Sequence, residues 1–374
     1  MALDVTPLVG FRTGIANAVS GIERALAALG GAPRIVPFAL GLRTRGRLAA
    51  LPAGTRTFAA PTRALLVAWG HAEWPRLDRR LRPATVLHAT NYVVPPSRLP
   101  TLATVYDTSY ARHPELVTPV VRRFDRILRR AVERGATLHT GVHAVAEDLD
   151  DLYGPGLLAE GRIVVVPFAI PDLPDPGPLP PAVAARLEGA PYVLALGTVE
   201  PRKRVPLLVR AFAAVAARVP DLRLVIAGPD GPDRDALDAT IASLTPTTRA
   251  RVVVLGPVDD PARSALLAGA RALAYPSRDE GFGFPVLEAM ASGTPVVATA
   301  VGSIPEVAGG AALLVEGHGD PEAALADAIE RVVTDAALRD DLVGRGSRRA
   351  AEFSWVRTAR GLVEVYERLS AARA

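Results

Sequence analysis

Residues 272–299 read ALAYPSRDEGFGFPVLEAMASGTPVVAT. Two short apolar runs, ALAYP (272–276) and PVVAT (295–299), flank a helical pattern near 285–292. Neither run alternates apolar with polar residues, which is how strands covered on both faces of a parallel sheet read. Outward from this strand–helix–strand unit the same alternation repeats. Before it come YVLALG (192–197), a helix over 205–218, LRLVIAG (222–228), a helix near 233–244, RVVVLG (251–256) and a helix near 261–269. After it come ALLV (312–315) and helices near 321–333 and 336–352. The first half reads the same way. Its strand candidates are ALDV (2–5), RIVPF (34–38), ALLVAW (64–69), ATVLHAT (84–90), LATVYD (102–107), ATLHT (136–140) and RIVVVPF (162–168), with helices over 15–29 and 120–133.

The stretch AIPDLPDPGPLPPAV (169–183) holds six prolines and continues neither a helix nor a central strand. The expected fold class is therefore α/β, with two doubly wound Rossmann-like domains over 1–172 and 190–352. A Pro-rich linker over 173–189 joins them, and a last amphipathic helix, 353–374, is expected to pack back on the first domain. In such folds ligands bind at the C-terminal ends of the strands, where loops feed helix N-termini.

Composition narrows the classes. The 374 residues are 49% apolar and 22% charged, a globular balance that excludes a disordered chain. The absence of Cys excludes disulfides, thiolate metal sites, iron–sulfur clusters and Cys nucleophiles. No apolar run approaches the ~20 residues that cross a bilayer. The N-terminus lacks a basic stretch followed by an apolar one. The expectation is a soluble cytoplasmic protein. Net charge is +4, but residues 1–172 hold 21 Arg against 14 Asp and Glu, so the first half is basic and the second mildly acidic. Of 43 basic residues, 42 are Arg and one is Lys203, which marks a position where a compact ammonium is wanted. The Arg-lined face of 122–134 and the loop GLRTRGR (41–47) read either as a solvated surface or as contact with an anionic membrane or acceptor. No aromatic platform accompanies these arginines, so nucleic acid is not expected as a partner.

Three loops carry chemistry. GTVEPRKR (197–204) follows a strand and sets Arg202 and Lys203 before a helix start, a place for a di- or triphosphate. Alone it reads equally as a solvated pair of cations. EGFGFPVLE (280–288) combines Glu280 and Glu288 with Gly281 and Gly283. Carboxylates that accept from hydroxyls, beside backbone amides that donate, suit ribose and hexose ligands. VGFRTG (9–14) is a Gly-containing turn between the first strand and the first helix. It lacks the GxGxxG spacing of a dinucleotide fingerprint. Two Asp-x-Asp strings, 148–150 and 233–235, fall in helical segments, and no metal site is expected.

GTVEPRKR, YPSRDEGFGFPVLEAMASGTPVVAT (275–299) and GSIPEVAGGAALLV (302–315) together resemble the C-terminal domain of a family 4 retaining glycosyltransferase of the GT-B fold, the glycosyl transferases group 1. The two acids reproduce that family's E-x7-E pattern. LDVTPLVGFRTGIANAV, TVYDTSYARHPELV and HTGVHAVAEDL resemble its N-terminal half more loosely. The resemblance implies two domains facing across a cleft and a nucleoside-diphosphate sugar, GDP- or UDP-linked, as donor. It implies no further cofactor. It assigns Arg202 and Lys203 to the donor diphosphate. Glu280 and the amides around Phe282, Gly283 and Phe284 would hold the donor sugar, and Glu288 the ribose. Gly14, Thr198 and Leu287 would contact the donor, and Val258 would line the base with Gly256 and Pro257. Asp107 would sit near a hydroxyl acceptor. Here Tyr106 replaces the His that precedes that Asp in many relatives, and Thr198 replaces an Arg. His88 and His113 are other first-domain candidates. The resemblance leans toward mannosyl- or rhamnosyl-type transfer in polysaccharide synthesis. A non-hydrolysing sugar-nucleotide epimerase, or a non-catalytic nucleotide-sugar-binding protein, is the alternative.

Overall fold

The computed structural model describes residues 1–9, 14–41, 51–115 and 117–372. The chain divides into two compact units, Met1–Pro171 with Phe353–Ala374, and Asp172–Glu352. In the first unit seven strands form one parallel sheet: β1 (Ala2–Asp4), β2 (Val36–Leu40), β3 (Arg56–Phe58), β4 (Leu87–Ala89), β5 (Thr101–Thr104), β6 (Thr137–Thr140) and β7 (Ile163–Val165). Their spatial order is β3-β2-β1-β4-β5-β6-β7, so the direction of winding reverses between β1 and β4. The second unit holds β8 (Tyr192–Leu196), β9 (Arg223–Ala227), β10 (Val252–Gly256), β11 (Ala272–Tyr275), β12 (Val296–Ala300) and β13 (Leu313–Glu316). They lie in the order β10-β9-β8-β11-β12-β13 and are all parallel, with the reversal between β8 and β11. β8, β11 and most of β9 and β12 are buried throughout, which is why their sequence shows no alternation.

Two readings of the first unit need correction. ALLVAW (64–69), read as a strand, lies inside the helix Thr62–His71. Leu65, Leu66 and Trp69 are buried while Val67 faces solvent, a helical period hidden in a run too short to reveal it. The strand β3, with sequence RTF, was not anticipated. It is three residues long and carries no apolar run. The expected linker also holds a helix. Pro181 opens a helix, Pro181–Leu187, because proline is tolerated in the first turn, where its missing N–H is not needed. This stretch docks on the second unit through Ser264 Oγ donating to Pro174 O (2.6 Å) and Arg186 donating to Val254 O (2.8 Å).

The last helix, Trp355–Ala371, buries Thr358, Ala359, Leu362, Val365 and Tyr366 in the first unit's core with Leu3, Val19, Ile22 and Leu26. Removing each large apolar side chain from water is worth about 1.5–3 kcal/mol. Polar ties fix its register. Thr358 Oγ1 donates to Pro167 O (2.7 Å), and Tyr366 OH meets His88 Nδ1 (2.7 Å).

Candidate active site

In the second unit, the first and fourth strand–helix loops flank the reversal of the sheet. The first, after β8, carries a single 3-10 turn, Pro201–Lys203. Arg204 follows in a left-handed conformation (φ 49°) and leads into the helix Val205–Arg218. The fourth, after β11, runs to Gly283 (φ 81°), which starts the helix Phe284–Ala291. The two loops are tied by Arg278 N–H donating to Arg202 O (2.7 Å).

Glu280 is the hub. Its Oε1 accepts from Arg202 Nη1 (3.1 Å), Tyr275 OH (2.9 Å), Ser277 Oγ (3.0 Å) and Lys203 Nζ. Lys203 Nζ also donates to the Tyr275 hydroxyl and lies 4.6 Å from that ring's centroid. Arg202 Nε pairs with Glu200 at 2.7 Å. The Glu280 side chain is 6% exposed and that of Lys203 11%. Burial alone would raise the Glu280 carboxyl, but Lys203 and Arg202 hold it down at about 2. Burial lowers the Lys203 ammonium, against the opposing pull of Glu280. The group is a preorganised set of charges that keeps two cations fixed at the sheet's reversal point. The loop after β12 completes it: Ser303 N–H donates to Glu280 O (3.1 Å), and Gly302 packs where a Cβ would come within 2.4 Å of that oxygen.

Glu288 sits in the second turn of its helix. It is 1% exposed and accepts from Arg263 Nη2, and burial raises its carboxyl despite that cation. Sequence reasoning missed Arg263, Tyr275 and Ser277. The last two lie inside the quoted motif, where only the tertiary contact with Glu280 reveals them. Phe282 is buried and its ring lies 4.8 Å from that of Phe284. Thr198 and Val258 are half-buried after β8 and β10. Leu287 is fully buried, so its side chain is a packing group.

In the first unit, Asp107 Oδ1 accepts from the Ser109 N–H (3.1 Å) and hydroxyl (2.7 Å), holding its own turn after β5. Three further polar groups end or follow β1, β4 and β5 in the same sheet. Asp4, at the end of β1, is buried, and desolvation raises its carboxyl to about 6 against hydrogen bonds from Thr6. Asn91 Oδ1 and Tyr106 OH are buried without a hydrogen-bond partner among the described residues. The Tyr106 ring stacks on Phe168 at 4.9 Å, and burial pushes its hydroxyl pKa up.

His88 belongs to a buried chain. Its Nε2 meets Thr104 Oγ1 (2.7 Å), which meets His139 Nδ1 (2.9 Å), while His139 Nε2 meets Val166 O (3.0 Å). It is a structural histidine. His113 pairs with Glu115 at 3.6 Å on the surface. Of the Asp-x-Asp strings, Asp148 accepts from Thr108 and pairs with Arg112, and Asp150 accepts from the Gly156 and Leu158 N–H groups. Asp233 precedes the helix Arg234–Ser243. Gly14 begins the helix Gly14–Ala28 and is exposed. Residues 10–13 of VGFRTG and 42–47 of GLRTRGR lie outside the described residues.

Residues 190–335 match the model of the family "Glycosyl transferases group 1". A D-inositol 3-phosphate glycosyltransferase of Actinosynnema mirum is 36% identical over 231 residues, covering 59% of this chain and 55% of that protein. The O-antigen chain mannosyltransferase B of Escherichia coli is 35% identical over 182 residues, 48% of this chain and 46% of that one. The chain thus spans about half the length of these curated relatives. Among solved structures, Anabaena HepE in complex with UDP and glucose superposes with a TM-score of 0.71 at 17% identity, over 95% of this chain and 96% of that one. That likeness establishes the fold, GT-B. The buried Glu280 hub and the two fixed cations lie inside the segment, residues 190–335, that matches the glycosyl transferases group 1 model.

Proposed function

We propose that the protein is a retaining glycosyltransferase. It moves a hexose from a nucleoside-diphosphate sugar to a hydroxyl of a saccharide, lipid-linked or small-molecule acceptor. The observation that carries this reading is the convergence of Arg202, Lys203 and Glu280 at the reversal point of the second sheet. Breaking the bond from the sugar's anomeric carbon to the diphosphate builds negative charge on the leaving phosphate. Cations already fixed in a poorly solvated loop lower that barrier without reorganising. Glu280 keeps them in place, and with the amides around Phe282 to Phe284 it is assigned to the sugar hydroxyls. Glu288 is assigned to the ribose.

Retention is assigned to front-face attack, in which the acceptor hydroxyl gives its proton to an oxygen of the departing phosphate. No carboxylate is assigned as a nucleophile. Asp107, with Tyr106 in place of the family's His, is assigned to the acceptor side. The relatives named as glycosyltransferases of inositol phosphate and of O-antigen mannose support a hexose and a polyhydroxylated acceptor. The UDP and glucose bound in the HepE complex support a nucleoside diphosphate as leaving group, with GDP the other candidate.

Lys203→Ala is expected to lower turnover about 10²-fold or more, the scale of losing one fixed transition-state contact. Unchanged turnover sinks the mechanism. A thermal-shift series with GDP, UDP, dTDP and ADP identifies the base, since the bound nucleotide stabilises the fold by linkage. Turnover is expected to survive EDTA; loss restored by Mn²⁺ would contradict the metal-free reading.

A further inference from the structure

Glu288 lies in a helix that is buried along most of its length. Val286, Leu287 and Ala289 beside it are fully buried, and Met290 is buried as well. A carboxylate in such surroundings is costly unless it is paired. Its partner comes from another element, the helix Asp260–Gly269. The start of that helix is fixed locally: Asp259 Oδ1 accepts from the Ala262 N–H (2.9 Å), and Pro261 stands in the first turn. Leu266 and Leu267 are fully buried, and Ser264 Oγ donates to Pro174 O, which clamps the helix in place. Arg263, next to Ser264, is thereby held with its Nη2 donating to Glu288 Oε2. Its side chain is 20% exposed, against 1% for Glu288.

Stability does not account for this pair. A buried ion pair is often no better for folding than apolar residues of the same volume. This one is also incomplete. Among the described residues Glu288 Oε1 accepts no hydrogen bond, and Arg263 Nε is buried without a partner. Asp260, in the first turn of the partner helix, adds a negative charge that pushes the Glu288 carboxyl further up. Arg263 is the cation that opposes burial and Asp260 together. From β11, the Tyr275 hydroxyl feels the Glu288 charge. The helix Ala336–Ala350 packs Gly346 against Met290 and directs Arg345 and Arg349 elsewhere, to Gly310 O and Val307 O. A carboxylate pinned at one oxygen and open at the other is an acceptor for neighbouring hydroxyls, which is what a ribose presents.

We propose that Arg263 is a positioning residue for the ribose of the donor nucleotide, and that its pair with Glu288 sets a preference for ribo- over 2′-deoxyribonucleoside diphosphates. The inference rests on the assignment of Glu288 to the ribose. Arg263 acts through Glu288: it keeps that carboxylate charged and turned by its Oε2, with Oε1 left for a hydroxyl. Without the cation a buried carboxyl takes up a proton and loses acceptor capacity.

The test needs no turnover. Isothermal titration of the full chain compares GDP with 2′-deoxy-GDP, and UDP with 2′-deoxy-UDP, from pH 6 to pH 9. The wild type is expected to bind the ribonucleotide of its preferred base about tenfold or more tightly than the deoxy analogue, the scale of a hydrogen bond to a charged group. That ratio is expected to hold within about twofold across the range. In Arg263→Met it is expected to fall to about threefold or less at pH 6 and to recover toward pH 9, where Glu288 ionises unaided. Arg263→Gln, which keeps a donor for the buried carboxyl but no charge, is expected to show the same pH dependence and covers the case of an unfolded Arg263→Met. Arg263→Lys keeps the charge and is expected to restore most of the ratio. A merely structural role lowers the melting temperature without moving the ratio. Neutral variants that keep the wild-type ratio at every pH overturn the proposal, as does an Arg263→Lys protein with no recovery. A wild type without the preference, or a Glu288→Gln protein that retains it in full, overturns the ribose assignment itself and the proposal with it.

Discussion

The buried carboxylates of the two units are set apart by what surrounds each one. Glu280 lies among two cations and two hydroxyls and stays ionised down to about pH 2. Among the described residues Asp4 has only Thr6 to offset its burial, and its carboxyl titrates near 6. A carboxyl raised in this way contributes stability that is fully present below the unfolded value of 3.8 and is lost as pH rises through 6. Asp4→Asn keeps an oxygen for the Thr6 N–H and hydroxyl and cannot ionise. The variant is expected to match wild type near pH 4 and to exceed it by about 2–3 kcal/mol above pH 7. Chemical denaturation across that range checks this; a difference that does not grow with pH refutes it.

Among the elements, the loops that end β8, β11 and β12 build the site, and glycine sets how closely they approach. Gly302, in a left-handed conformation (φ 50°), leaves no room for a Cβ against Glu280 O, a backbone atom that cannot move alone. Gly302→Ala is expected to displace Glu280 and lower kcat/KM about tenfold or more, because small displacements of a preorganised group are costly. Gly310→Ala is the control. Gly310 also has a positive φ (77°) but faces open space, so that variant loses about 1 kcal/mol of stability with kcat unchanged. Steady-state kinetics with melting curves separates the two. Gly302 and Glu280 lie 22 positions apart in the chain, and neither motif alone indicates that they touch.

At the scale of the whole molecule, the last 22 residues belong to the first unit although the second unit precedes them in the chain. Deleting residues 353–374 uncovers the apolar cluster around Leu3 and Ile22 and removes the Tyr366 hydroxyl from buried His88. An orphaned buried group alone costs about 1–3 kcal/mol. The truncated chain is expected to lose the calorimetric transition of the first unit and to retain one that GDP or UDP raises. Two intact transitions would mean that the helix is dispensable.

Much of this molecule was legible in its sequence. The second unit was most so: its six strands fall within two residues of their expected positions, because short runs of Val, Leu, Ile and Ala without polar interruption mark each of them, and the central ones are buried on both faces. The first unit was less so. Its helix Thr62–His71 hides in a run of six apolar residues, and β3 is three residues with one buried side chain. Of the site, Arg202, Lys203, Glu280 and Glu288 were marked by residue type and spacing. Tyr275, Ser277, Arg263 and Asn91 were not, since a hydroxyl, guanidinium or amide has no sequence signature until its partner is placed. The sequence by itself thus determined the alternation of strands and helices, the loops that hold the chemistry and the singular status of Lys203, because periodicity and residue type are local properties. Only the tertiary structure decided that the arginines at 129, 130 and 134 are paired, that Glu280 is ionised while Asp4 is poised near 6, and that Trp74 stands in solvent. Charge state and exposure are set by neighbours that the chain brings together from far apart.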